Sequence, residues 1–117
     1  MRILITTEFG GVAGSSYSIF YLANGLIKRG HKVIIGVPYG TFLHQLASSH
    51  NIPTEALGFG MKFSWSAVRR INKIIHDEKI ELVNPQESKD RYNVIFSRLI
   101  FNWPAKKVLS RRQRVAD

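Results

Sequence analysis

Three short segments carry groups whose types and spacing could do chemistry. The first is a glycine-rich run, Gly10-Gly11-Val12-Ala13-Gly14, followed by Ser15 and Ser16. Glycines let a backbone approach a ligand closely, and a helix starting just after them aims free N–H groups and a positive dipole end at an anion. The run is neither the G-x-G-x-x-G of dinucleotide sites nor a P-loop, because no Gly-Lys-Ser/Thr is present. A tight strand-to-helix turn would use the same residues, so the pattern leaves an anion cradle and a plain turn both open. The second segment is Gln86-Glu87-Ser88-Lys89-Asp90. Glu87 or Asp90 could orient a hydroxyl or act as a base, and Lys89 could meet an anion. Helix capping by Ser88 or Asp90, with solvated neighbours, is the plainer role. The third is Arg111-Arg112, which could hold a phosphate or carboxylate or belong to a solvated tail.

The remaining polar residues narrow the chemistry. His31, His44, His50 and His76 share no metal-ligand spacing, so structural roles and no metal are expected. Trp65 and Trp103 read as packing residues, and Gly58-Phe59-Gly60 as a connection. Cysteine is absent, which removes disulfides, thiol nucleophiles and cysteine metal sites and points to the cytosol. The apolar burst Met1-Arg2-Ile3-Leu4-Ile5 runs into the glycine loop without the cleavage site of a signal peptide. No apolar run approaches the ~18 residues of a membrane span.

These segments need elements to position them, and the hydrophobic pattern supplies an alternation. Arg2 to Thr7 reads as a strand, then a helix capped by Ser15 or Ser16 carries Ile19, Phe20, Ala23, Leu26 and Ile27 inward and ends at Gly30, a left-handed C-cap. Lys32-Val33-Ile34-Ile35-Gly36-Val37 is a second strand, unbroken in its apolar character as a strand covered on both faces must be. Thr41 to His50 is a short helix, and Thr54 to Leu57 a weak third strand. Ser64 or Ser66 caps a third helix reaching about His76, with Val68, Ile71, Ile74 and Ile75 inward. Glu81 to Asn84 is a fourth strand cut by Pro85. Asp90 opens a fourth helix carrying Val94, Ile95, Phe96, Leu99 and Ile100, ended by Trp103-Pro104, and Lys107 to Ser110 is a fifth strand.

With 117 residues there is room for one core. Strand–helix alternation predicts a doubly wound, Rossmann-like parallel sheet of about five strands with helices on both faces. In such sheets ligands bind at the carboxyl ends of the strands, where the strand order reverses. The glycine loop, Pro38 to Gly40, Pro85 to Asp90 and the arginines after the fifth strand would converge there. No helix follows that last strand, which reads as a truncated member of a larger fold.

In this succession the chain resembles the N-terminal, acceptor-side domain of a GT-B fold glycosyltransferase of family four (group one). The resemblance rests on Met1-Arg2-Ile3-Leu4-Ile5 with Gly10-Gly11-Val12-Ala13-Gly14-Ser15, on Leu26-Ile27-Lys28-Arg29-Gly30-His31-Lys32-Val33, on Glu81 to Asp90, and on Leu109-Ser110-Arg111-Arg112. It implies a retaining enzyme that moves a sugar from a nucleotide diphosphate, usually without a metal or other cofactor, in polysaccharide or lipopolysaccharide synthesis. It also implies that Gly10, Gly11, Gly14 and Ser15 face the donor diphosphate and the acceptor. Gln86, Glu87, Ser88, Lys89, Asp90, Arg111 and Arg112 would face the acceptor or the sugar. Two departures stand out: Asn84 and Gln86 occupy positions where the family has histidines, and the donor-binding domain is missing, so residues 1–117 alone are expected to be inactive.

Charge adds a partner. The net charge is +9, of which +7 lies beyond Gly60. Base-stacking aromatics interleaved with the basic residues are not evident, so nucleic acid is not expected. A lipid-linked acceptor at the inner face of the plasma membrane would instead match a basic, partly apolar surface. The competing readings are a sugar-nucleotide epimerase of related fold and a non-catalytic, nucleotide-binding or regulatory module of flavodoxin-like type.

Overall fold

The computed structural model describes residues 1–7, 11, 14–58, 64–86, 88–101 and 107–108. Its strands are β1 (Arg2–Thr6), β2 (Lys32–Val37), β3 (Thr54–Ala56), β4 (Leu82–Pro85) and β5 (Lys107–Val108). The helices between them are α1 (Gly14–Lys28), α2 (Phe42–Ser49), α3 (Trp65–Asp77) and α4 (Ser88–Phe101). All strand pairs are parallel and the order across the sheet is β3-β2-β1-β4-β5. The expected doubly wound sheet of five strands is therefore what forms.

Alternation along each strand sorts the core into two layers. Ile3 and Ile5 of β1 join Val33, Ile35 and Val37 of β2 beneath α1 and α2. Leu4 and Val83 turn the other way, under Val68, Ile71 and Ile75 of α3 and Val94 of α4. Gly36 is needed for close packing: a Cβ there would lie 3.0 Å from Leu57 Cδ2 and 3.5 Å from Thr6 Cγ2.

Three helices end alike. After α1, Gly30 turns left-handed (φ 93°), with its N–H donating to Ile27 O and the His31 N–H to Leu26 O. Asn51 (φ 60°) does the same after α2, and Lys79 (φ 53°) after α3, where the next N–H donates to Ala47 O and Ile75 O respectively. Glycine at position 30 was expected from its type. A lysine at the third such position was not, because an L side chain is disfavoured there.

Two expectations are corrected. Neither Ser15 nor Ser16 caps α1, because the helix already begins at Gly14 and the Ser16 hydroxyl donates to Gly11 O at 2.6 Å. A second point concerns α4, whose apolar residues are not all buried. Val94 is fully buried, but Ile95 (39% exposed), Leu99 (73%) and Ile100 (47%) point to solvent. The positions facing α3 are instead Asn93 and Ser97, both buried. Asn93 Oδ1 accepts from Ser64 N at 2.7 Å, and Ser97 Oγ donates to Val68 O at 2.9 Å. Hydrogen bonds thus occupy the side of α4 that meets α3. Smaller differences are that α4 starts at Ser88, that Pro85 is the last strand residue, and that Ile27 lies at the surface. Trp103-Pro104 and Leu109-Ser110 lie outside the described residues.

Candidate functional site

A site at the sheet's carboxyl edge follows from the strand order. The chain leaves β1 for β2 on one side, while β4 lies on the other, so the order reverses between β1 and β4. Their last residues, Thr6 and Pro85, are paired in register, and Gln86 N donates to Thr6 O at 3.0 Å just beyond. On the opposite flank Thr7 N donates to Gly36 O at 3.0 Å. Thr6 and Thr7 are fully buried, which makes the floor of this crevice polar backbone and hydroxyl.

The pairing of β1 with β4 places two of the three candidate segments side by side. Gly11, Gly14 and Ser15 belong to the loop and helix start after β1, and Gln86, Ser88, Lys89 and Asp90 to the loop and first turn after β4. Gly10, Glu87, Arg111 and Arg112 lie outside the described residues. Among the described residues, a Cβ on Gly14 would meet nothing within 4 Å. Ser88 to Asp90 form the first turn of α4, so two helix N-termini open on the same crevice. Unsatisfied N–H groups and the dipole ends there suit a negatively charged group.

Asn84, noted in the sequence only as a departure from the family's histidine, gains a further feature in this crevice. Asn84 precedes Pro85 on β4, pairs with Ile5 and shares its face of the sheet with Leu82. Its Oδ1 is buried and has no hydrogen-bond partner among the described residues. Leaving such an acceptor unpaired costs about 1–3 kcal/mol, which a ligand hydroxyl or N–H would relieve. The signal was present as a polar residue inside an apolar strand, but its unpaired state depends on neighbours from other strands.

Three of the four histidines have polar neighbours. His31 Nδ1 lies 3.2 Å from the Met1 amine, Gly40 N donates to His44 Nδ1 at 3.4 Å, and His50 Nδ1 is 3.0 Å from Leu46 O. Among the described residues no three His, Asp or Glu side chains could share a metal ion, and no helix is long and apolar enough to cross a membrane. A separate groove of about 550 Å³ runs along the outside of α3 to Phe101, with Arg69, Asn72 and Lys73 in its wall. Lys73 is paired with Asp77 at 2.9 Å, and nearby Arg70 with Glu55 at 2.8 Å.

Solved structures share this architecture. The chain is similar to MurG of Acinetobacter baumannii with a TM-score of 0.70 and 13% identity, covering 93% of this chain and 34% of that one. A glycosyltransferase from Rickettsia africae aligns with a TM-score of 0.73 and 19% identity over 93% of this chain and 28% of its own. HepE (Alr3699) of Anabaena in complex with UDP aligns at 0.69 and 17% over 92% and 29%, and was also solved with UDP and glucose. No family model matches the chain. No curated protein matches it either. At these identities the likeness establishes the fold, a Rossmann-like α/β domain of the kind found in these structures. The chain spans about a third of the length of each.

Proposed function

We propose that this chain is the acceptor-side domain of a retaining GT-B glycosyltransferase of family four. Its donor would be a nucleotide-diphosphate sugar, and its acceptor a glycan or lipid-linked precursor in cell-envelope polysaccharide or lipopolysaccharide synthesis. The observation that carries the reading is the reversal of strand order between β1 and β4, flanked by two helix N-termini, within a fold shared with MurG, a rickettsial glycosyltransferase and UDP-bound HepE. In the transfer, the bond between the sugar C1 and the diphosphate oxygen breaks and one from C1 to the acceptor oxygen forms. Negative charge builds on the departing diphosphate oxygen, which takes up the proton lost by the acceptor hydroxyl. The loop of Gly10, Gly11, Gly14 and Ser15 and the N–H groups of α1 would face that charge, where preorganised donors act most strongly. Asn84, Gln86, Glu87, Ser88, Lys89 and Asp90 would meet the sugar and acceptor, joined by Arg111 and Arg112. No metal is assigned a role.

The flavodoxin-like alternative is disfavoured by topology. That type has the strand order 2-1-3-4-5, whereas this sheet has 3-2-1-4-5. A cytoplasmic position, with peripheral contact at the inner face of the plasma membrane, is part of the proposal. It is supported by the outward Ile95, Leu99 and Ile100 of α4 beside the exposed cations Arg98 and Arg69. Because the chain covers only about a third of its structural neighbours, the second wall of the cleft would lie in another domain, and residues 1–117 alone are expected not to transfer sugar.

The test is a transfer assay and a thermal-shift screen of the natural gene product against a panel of nucleotide sugars. Stabilisation by at least one donor, diminished by Gly11→Val, is expected. A folded protein that neither binds nor turns over any donor would remove the reading, and undiminished binding by Gly11→Val would reduce the loop to a turn.

A further inference from the structure

The stretch of α1 up to Ile27, together with α2 and the loop after β2, carries no charged side chain. From Phe9 to Ile27 and from Val33 to Thr54 there is no Asp, Glu, Lys or Arg, in a chain of net charge +9. Soluble surfaces ordinarily carry a mixture of both signs. The large exposed side chains here among the described residues include three tyrosines: Tyr39 is 80% exposed, Tyr21 66% and Tyr17 42%.

These rings lie at the carboxyl end of the strands. Tyr17 is in the first turn of α1, beside the glycine loop, and its ring meets Phe42 edge-on at 5.3 Å. Tyr39 follows β2 directly and lies against His44 with ring centres 4.8 Å apart. The turn that presents Tyr39 is held from both sides. Thr41 Oγ1 donates to Pro38 O at 2.9 Å, Gln45 Nε2 donates to Gly40 O at 3.1 Å, and Gly40 itself is left-handed at φ 80°. Burial does not account for a ring this exposed, nor does a loose loop account for a turn pinned this way. Tyrosine offers a large amphipathic surface at little conformational cost, and aromatic rings with a few polar groups make a typical small-ligand lining.

We infer that Tyr39, with Tyr17, Phe42 and His44, is the platform on which the acceptor sugar stacks, and that this acceptor unit is an uncharged pyranose. A pyranose ring has an apolar C–H face suited to an aromatic ring, and its hydroxyls need donors and acceptors rather than fixed charges. No Lys or Arg stands along these two segments, so the platform itself offers no fixed charge to a uronic acid, sulfate or phosphate. The inference rests on the glycosyl-transfer reading and names the acceptor class and the residues that hold it.

The experiment is ligand-observed saturation-transfer NMR on the 117-residue chain with millimolar neutral mono- and disaccharides of glucose, galactose and N-acetylglucosamine. Glucuronic acid serves as the charged comparison. Saturation at the sugar C–H protons is expected, weakened about fivefold to tenfold by Tyr39→Ala and retained by Tyr39→Phe. Trp65→Ala, on the opposite face of the sheet, should leave the signal unchanged, and circular dichroism melts should show all variants folded. Failure of every neutral sugar to bind, a signal indifferent to Tyr39→Ala and Tyr17→Ala, or tighter binding of glucuronic acid would overturn the inference. So would concentration-dependent self-association abolished by Tyr39→Ala, which would make the face a protein interface. In the natural gene product, transfer with an acceptor KM unaffected by Tyr39→Ala removes the platform and leaves the enzyme reading intact. Sugar binding at the platform without any donor binding removes the enzyme reading and leaves the platform.

Discussion

At the scale of single residues, the crevice between β1 and β4 separates what the fold needs from what a ligand would need. Among the described residues, nothing stands within 4 Å of where a Cβ on Gly14 would lie. Gly14→Ala should therefore leave stability unchanged or raise it by up to about 1 kcal/mol, read by urea unfolding. The same substitution should weaken nucleotide-sugar binding if the loop cradles the diphosphate. Asn84 is the reverse case, a buried acceptor without a partner among the described residues. Asn84→Leu is expected to raise the melting temperature by a few degrees while lowering donor or acceptor binding. A large loss of stability instead would show that the side chain is already satisfied. Gly36 is structural in the ordinary sense, since a side chain would press on Leu57 and Thr6. Gly36→Val should cost about 1–3 kcal/mol by overpacking, measured in the same unfolding experiment.

At the scale of elements, the helix ends and the rotation of α4 carry the argument. The left-handed Lys79 terminates α3 at a position that favours glycine. Lys79→Gly should stabilise the chain by about 0.5–1 kcal/mol, the relief of that conformation less the greater freedom of glycine when unfolded. Asn93 ties the start of α3 to α4 through Ser64 N, and its removal leaves a buried donor unpaired. Asn93→Ala should cost about 1–3 kcal/mol, seen as a lowered denaturation midpoint. Helical spacing made Ile95, Leu99 and Ile100 look like core, and periodicity did identify an apolar face. It could not say whether that face meets the sheet or the solvent, because that depends on packing against a segment some thirty residues earlier, to which Asn93 and Ser97 hydrogen-bond. Leu99→Glu tests the consequence. It should leave stability unchanged, since the side chain is 73% exposed, and reduce co-sedimentation with anionic vesicles; equal, salt-independent binding to neutral and anionic vesicles would refute recognition of an anionic membrane.

At the scale of the whole molecule, charge and topology divide the surface into distinct territories. The faces of α3 and α4 carry Arg69, Arg70, Lys73 and Arg98. The stretch of α1 up to Ile27, with α2, is uncharged and aromatic near the site. This division allows one domain to approach an anionic surface with one flank and take up a neutral sugar with another. The strand order gives the crevice its position, and the glycine loop and the Gln86 segment become neighbours only because β1 and β4 pair. Their sequence separation is long, and nothing local in either segment records the pairing.

The amino-acid sequence by itself determined the number and kind of elements, the bounds of β2, the inward face of α3, the left-handed end at Gly30 and the doubly wound class. Each of these follows from local preference or from a period within one segment. The tertiary structure decided the order of the strands, and with it the choice against a flavodoxin-like arrangement that has the same alternation. It also decided the outward turn of α4, the unpaired state of Asn84 and the exposure of Tyr39. Those depend on which distant segments meet, and a pattern read along one segment contains no term for that encounter.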